Sequence, residues 1–520
     1  MFETLTGQRA LDYAVDLKRI PQERRLSLFT YQNSEKRLSM FDKPTVSKYP
    51  DVTRPRSTFE TSRLDESRDI IENAIESGIF FGIGLFSLVF SLLPPKVNKI
   101  LNTLGFQSSR PFALHLLQKS FRNLGLYSSL SALSILAYYT NLSLFVHPQL
   151  LPNSLSLEKA REILDQMKIC FPNGKIWKLL EGKLCKMEGK TRRGVEILRD
   201  VRSRESVKIE ILTGKLHTLP QKKKDRMVCE LPQLQALAVY EMGWGQIFLG
   251  DYFQASETFF RLEGMNNWSR AFYHYIATCC MFADEAYDKS AREFMQIPGM
   301  LKRKRQFGGK LLPNEIYAER KIKHWIQKSF GQEDGVLDGK SLRKAVVINP
   351  LWELIYLWNG FSQLTVQKLE SMHQIMKDTL AGGQEIESDI GQLYLLLGVG
   401  ARELGDYDQA ESYLRKAAGS DDEISEDAWV LPHAYYEMAA LNCVRLLYMK
   451  KDDGQKVLLK EAGDWIQKCE KQLTQRNSNT DHNNDTTHSD STGDSDWDSR
   501  LLHVRCQLLI EKLDDFNTVK

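Results

Sequence analysis

Residues 394–418, YLLLGVGARELGDYDQAESYLRKAA, decide the fold. Two small residues, Gly398 and Ala410, fall twelve positions apart on either side of the turn Gly405-Asp406-Tyr407. Leu397, Tyr407 and Leu414 supply bulk around them. The arrangement predicts an antiparallel helix pair. A small residue on each helix lets the backbones approach, large ones fill the space beside them, and a glycine ends the first helix.

The same grammar recurs in 240–262, YEMGWGQIFLGDYFQASETFFRL, where Gly243, Gly250, Tyr252, Ala255 and Phe259 take matching offsets. A looser copy is 176–201, IWKLLEGKLCKMEGKTRRGVEILRDV, with Gly182, Gly189, Gly194 and Leu198. It follows the second-helix pattern EKAREILDQMKICFPN, with Ala160, Leu164 and Pro172. A period of about 34 residues puts Pro172 at the end of one unit and Trp177 near the start of the next. That is the tetratricopeptide type, so the expected class is all-α, a tetratricopeptide-like helical repeat solenoid.

Less regular pairs follow: WSRAFYHYIATCCMF with SAREFMQIP, then WELIYLWNGFSQL, then HAYYEMAALNCVRLL with VLLKEAGDWIQKCEKQL. Each is apolar at helical spacing. The chain therefore divides into a poorly defined N-terminal helical arm (1–66), an apolar helical region (67–150), repeats (151–473), an acidic loop (474–498) and a closing helix (499–520). The loop, with six aspartates and Trp497 as its only large apolar group, holds too little apolar surface to offset the entropy of ordering it.

Composition excludes several function classes. Seventy basic against 67 acidic residues give +3, which offers no global field for nucleic acid. Eight cysteines form no C-x-x-C and read as reduced, buried apolar side chains. The start MFETLTGQRALDYAVDLKRI lacks the unbroken apolar core of a secretory signal, so the expected location is cytoplasmic. Asn141-Leu142-Ser143 and Asn267-Trp268-Ser269 would then stay unglycosylated. Gly82-x-Gly84 and Gly398-x-Gly400 have neither the third glycine nor the preceding strand of a nucleotide loop. Lys222–Lys224 and Lys302–Arg305 read as solvated connections between helices. His274, near Cys279 and Cys280, has no carboxylate in sequence to orient it and reads as packed core. These readings point to no catalytic residue, cofactor, metal or small-molecule substrate.

Two apolar stretches stand apart. GIFFGIGLFSLVFSLL (78–93) ends at Pro94-Pro95, and its sixteen residues reach roughly 24 Å, short of the roughly 30 Å of a hydrocarbon core. LGLYSSLSALSILAYYTNLSLFV (124–146) carries five serines and Asn141. Length and polarity favour buried repeat helices over membrane spans; peripheral membrane contact by 78–146 is the alternative.

What remains is surface for other proteins or peptides. In repeats of this kind the first helix of each pair lines the concave face, and positions one and four beyond its small residue point into the groove. These are Lys183 and Lys186, Trp244 and Ile247, and Val399 and Arg402. The cations could meet an acidic peptide end and Trp244 could anchor an apolar side chain.

The string FGIGLFSLVFSLLPPKVNKILNTLGFQSSR (81–110) resembles the segment that marks the tetratricopeptide repeat protein 39 family and its fungal relative, the inclusion body clearance protein. EKAREIL…FPNGKIWKLLEGKL, YEMGWGQIFLGDYFQASETFFRL, LWELIYLWNGF and YLLLGVGARELGDY continue it from about residue 67 to 512. The closing SRLLHVR, after GQKVLLKEAGDW, is most similar to the C-type member. The resemblance implies a non-enzymatic helical repeat scaffold, with some relatives at organelle membranes or lipid droplets and the C-type branch in cilium assembly. Members usually begin with an additional N-terminal helical region, so residues 1–66 read as a shortened start.

Overall fold

The computed structural model describes residues 58–91, 103, 109–123, 125, 127–142, 145–153, 156–202, 232–330, 335–382, 389–419, 429–449, 453–482 and 497–518. The chain forms two compact units, Met1–Arg68 and Asp69–Lys520. Of the first, only the helical backbone from Thr58 is described.

No strand occurs among the described residues. The apolar region holds α1 (Thr58–Ser91), α2 (Arg110–Arg122) and α3 (Ser128–Leu142). The repeats begin with α4 (Leu157–Cys170), α5 (Lys175–Met187) and α6 (Thr191–Arg202), then α7 (Pro232–Leu249), α8 (Tyr252–Met265), α9 (Arg270–Ala283) and α10 (Tyr287–Phe294). The middle contributes α11 (Ile297–Gln306), α12 (Pro313–Phe330), α13 (Gly339–Ala345), α14 (Pro350–Leu357) and α15 (Val366–Ala381). Last come α16 (Ile390–Glu403), α17 (Tyr407–Ala418), α18 (Val430–Tyr448), α19 (Asp453–His482) and α20 (Trp497–Thr518). Ser156, Asp338, Thr365 and Asp406 start their helices by accepting a bond from a backbone N–H of the first turn. Most helices pack on their neighbours in sequence, as a repeat stack requires.

The three repeat copies are built as their residues predict. A Cβ on Gly182, Gly243 or Gly398 would stand 2.5, 2.7 or 2.6 Å from Leu198, Phe259 or Leu414, the bulky residue sixteen positions on in each copy. Each first helix ends in a glycine with positive φ: Gly189 at 75°, Gly250 at 77° and Gly405 at 84°. There the next residue's N–H reaches back to close the turn, as Asp406 N does to Ala401 O at 2.9 Å.

A fourth copy emerges where the sequence looked irregular. Glu285 has φ 62° and the same closing bond follows it, Ala286 N to Met281 O at 3.0 Å. Counting back and forward by the repeat offsets gives Thr278, Ser290 and Phe294, all three fully buried. The small residues are hydroxylic, and the turn glycine has become a glutamate.

Two large cores result. One runs from Ala236 to Leu441 and is rich in rings. The other joins the first and last helices of the unit: Leu114, Leu117 and Leu136 lie in one cluster with Leu502, Leu509 and Leu513 of α20. Arg110 donates to Glu511 at 2.5 Å and to Gln507 at 3.1 Å, and Asn153 N donates to Asp515 at 2.7 Å. Arg505, 2% exposed, donates to the carbonyls of Tyr356 and Leu357 at the end of α14. The closing helix is thus a central strut rather than a terminal cap.

Two expectations change. The backbone stays helical through His482, so α19 extends into the stretch read as a loop; residues 483–496, like Lys222–Lys224, lie outside the described residues. The apolar region divides: α3 is buried along most of its length, whereas α1 is not. From Glu72 to Ser91 it is long and apolar enough to cross a membrane, and only 28% of its apolar window is buried.

Candidate interaction site

The six residues expected on a groove wall are all inside. Trp244, Ile247 and Val399 are packed in the large core. Trp244 stacks on Trp358 at 4.7 Å and meets the edge of Phe259. Lys183, Lys186 and Arg402 are buried as well, each facing a carboxylate of this chain.

The physical reason lies in the offset. Position four beyond the small residue faces the first helix of the next repeat, two residues before that helix's own small residue. Lys186 therefore meets Glu241 at 2.6 Å, two before Gly243. Arg402 meets Glu437, two before Ala439, in the same way. In the copy between, the equivalent pair is Ile247 and Ile276, both fully buried in one core. The first helices close on each other, so these positions staple repeats together and leave no open groove there. The staples are far apart in sequence and form separate clusters.

Each cluster is densely bonded, with Arg402 Nε left without a hydrogen-bond partner among the described residues. Lys183 reaches Glu241 at 3.4 Å and donates to Asn141 Oδ1 at 2.6 Å. Burial alone would raise the Glu241 carboxyl, but the charges and hydrogen bonds of Lys183 and Lys186 outweigh it and hold it at about 2. In the second cluster Arg402 also meets Glu403 at 3.0 Å, His147 meets Glu403 at 3.1 Å, and the Tyr356 hydroxyl donates to Glu437 at 3.1 Å. Burial again raises Glu403; the His147 hydrogen bond and the Arg402 charge carry it down to about 2.

Sequence reasoning missed Glu241 and Glu437, although a signal exists. Each is the lone carboxylate in a long apolar helix and sits in the same tripeptide, Tyr240-Glu241-Met242 and Tyr436-Glu437-Met438. An acid in such a setting needs a buried cation.

His274 is packed core, as expected, but carboxylates do reach it from other helices. Glu263 lies 3.0 Å from Nδ1 and Glu293 3.1 Å from Nε2. No group among the described residues has the geometry to hold a metal. Of the described cysteines, six are buried and Cys170 is exposed, which corrects the reading of all as interior. The run Lys302–Arg305 lies on α11, with Lys304 on Glu315 and Arg305 on Glu319.

The solvent-facing apolar side chains are elsewhere. Trp268 is 79% and Phe307 90% exposed, and Ile75, Ile79, Ile83, Phe86 and Val89 face outward along α1.

A family model described as Iml2/Tetratricopeptide repeat protein 39 matches residues 25–212 and 205–404. The match begins inside 1–66, the stretch that the resemblance left out. Similar proteins include the inclusion body clearance protein iml2 of Aspergillus fumigatus, 24% identical over 436 residues, covering 78% of this chain and 56% of that one. The iml2 of Aspergillus niger is 27% identical over 409 residues, with 72% and 54% covered. The IML2 of Schizosaccharomyces pombe is 24% identical over 415 residues, with 77% and 66% covered. The chain spans little more than half the length of the Aspergillus relatives.

Proposed function

The chain belongs to the Iml2/Tetratricopeptide repeat protein 39 family, and on that premise we propose that it is a non-enzymatic helical-repeat scaffold that holds partner proteins. The observation that carries this reading is the stack of helix pairs, whose residues are spent on packing one repeat against the next. Partners then engage outward side chains instead of the repeat interior. Trp268 and Phe307 are of the large aromatic type that anchors interfaces.

The test is cross-linking of the full chain in cells followed by mass spectrometry of the linked peptides. Partner cross-links that fall near Trp268 or Phe307, and that weaken in Trp268→Ala with unchanged thermal stability, support the reading. A chain recovered without cross-linked partners removes it.

Finer assignments belong to the same proposal. The likeness of GQKVLLKEAGDW and SRLLHVR to the C-type branch supports a setting in organelle or cilium assembly. The fungal relatives' name supports partners found at protein inclusions. We place the chain in the cytoplasm. A second reading, attachment to an organelle membrane, is favoured by the outward apolar face of α1.

A further inference from the structure

Along α1 the usual order of faces is reversed. In a soluble helix the large apolar residues turn inward and the small and hydroxylic ones outward. Here the inward face is Ser77, Gly84, Ser87, Leu88 and Ser91, all buried. The Ser77 and Ser120 hydroxyls lie 3.0 Å apart, and Ser120 Oγ also donates to Ser77 O at 2.9 Å. A Cβ on Gly84 would stand 3.1 Å from the Ala113 carbonyl, so α1 and α2 approach as closely as backbones allow. Facing out are Ile75, Ile79, Ile83, Phe86 and Val89, 59, 39, 41, 47 and 48% exposed. Small residues inside and branched or aromatic residues outside is the order that helices take when their surroundings are hydrocarbon.

Charge says which hydrocarbon. The chain as a whole is balanced, yet residues 77–157 contain no aspartate or glutamate and five lysines or arginines. Beside α1, helix α2 turns His115, Lys119 and Arg122 to solvent. The Lys119 ammonium sits 4.0 Å from the Phe80 ring and 3.8 Å from Glu76, the last acid of α1, at the border between the charged and apolar strips. An apolar stripe edged by cations fits the boundary between anionic headgroups and acyl chains.

We propose that α1 docks this protein in the plane of an anionic bilayer, with Ile79, Ile83 and Phe86 among the acyl chains and Lys119 and Arg122 among the headgroups. This deepens the membrane-attachment reading and leaves the protein-holding one untouched. In-plane docking follows from the cover on the inward face. A crossing α1 would carry α2, packed against it and bearing Arg110, His115, Lys119 and Arg122, into the hydrocarbon with it.

Flotation of the purified full chain with vesicles of 70% phosphatidylcholine and 30% phosphatidylserine tests this. Wild-type protein is expected to float, to float less with pure phosphatidylcholine, and to be released by carbonate. The double variant Ile83→Asp/Phe86→Asp, changed only at exposed positions, is expected to lose at least tenfold in bound fraction with an unchanged circular dichroism melt. Flotation equal in wild type and variant, or none in either, overturns the proposal. Carbonate-resistant attachment overturns the in-plane geometry. A wild-type dimer that the variant loses, without vesicle binding, assigns the face to a second copy instead. Loss of partner cross-links with vesicle binding intact strikes the scaffold reading alone.

Discussion

Lys186 and Glu241 meet at 2.6 Å where two first helices face each other, both side chains 5% exposed. Arg402 and Glu437 repeat the arrangement further along the stack. Breaking such a pair by removing one member leaves a buried charge unanswered, at a cost of about 3–5 kcal/mol. Arg402→Glu, which would crowd three carboxylates, and Trp244→Ala, which empties a stacked site, are therefore expected to unfold the local repeats by at least about 3 kcal/mol. Urea midpoints near wild type for both variants would refute the staple.

The staples also set an acid limit. Glu241 and Glu403 are held at about 2 in the fold against 4.5 for the free group. A lowered folded pKa means the unfolded chain binds more protons, so this stability is complete above about pH 4.5 and is lost as pH falls toward 2. Each carboxylate accounts for about 3 kcal/mol of it. Denaturation midpoints taken from pH 7 down to pH 3 should fall less steeply for Glu403→Gln than for wild type. Parallel slopes would contradict the assignment.

Glu285 is an exposed non-glycine residue at φ 62°. The left-handed region costs about 1–2 kcal/mol for a residue with a Cβ, partly offset by glycine's freedom in the unfolded chain. Glu285→Gly should raise stability by about 0.5–1 kcal/mol. A lower melting temperature in that variant would show that the side chain has a role in the turn.

The close approach at Gly243 predicts coupling. Gly243→Ala pushes a methyl toward the Phe259 ring 2.7 Å away, and overpacking of this kind costs about 1–3 kcal/mol. Phe259→Leu leaves room for it, so the double variant should be more stable than the sum of the single changes by 0.5 kcal/mol or more on the scale of about 0.5–3 for touching residues. Strict additivity would mean the helices simply move apart.

Thiol accessibility gives a quick check on the interior. Cys170 should react at once with an aromatic disulfide reagent, and Cys279 and Cys280, whose thiols burial pushes well above their ordinary range, only on unfolding. Fast labelling of the pair at 279–280 would place α9 nearer the surface.

The three clear repeats were legible because backbone contact admits few residue types. Gly182, Gly243 and Gly398 sit where a Cβ would strike a neighbour, and that constraint is written in one letter. The fourth copy was hidden since Thr278 and Ser290 satisfy the same space with another chemistry, and Glu285 bears strain that a pattern search takes as exclusion. The groove positions could not be read. Whether Lys186 faces solvent or Glu241 depends on how steeply one repeat turns on the next, and the helical period contains no such angle. On α1 the two faces are plain in sequence, but which one turns toward the protein is settled by Ser120 and Ala113 of a different helix.

The strut formed by α20 also bears on synthesis. Arg110 and its partner Glu511 are 401 residues apart, an interval of about 20–80 s at ordinary rates of elongation. Through that time Leu114, Leu117 and Leu136 wait on a nascent chain without their α20 neighbours Leu502, Leu509 and Leu513. Until α20 is made, the face of the early helices that it covers lies open, which makes them natural clients for a chaperone.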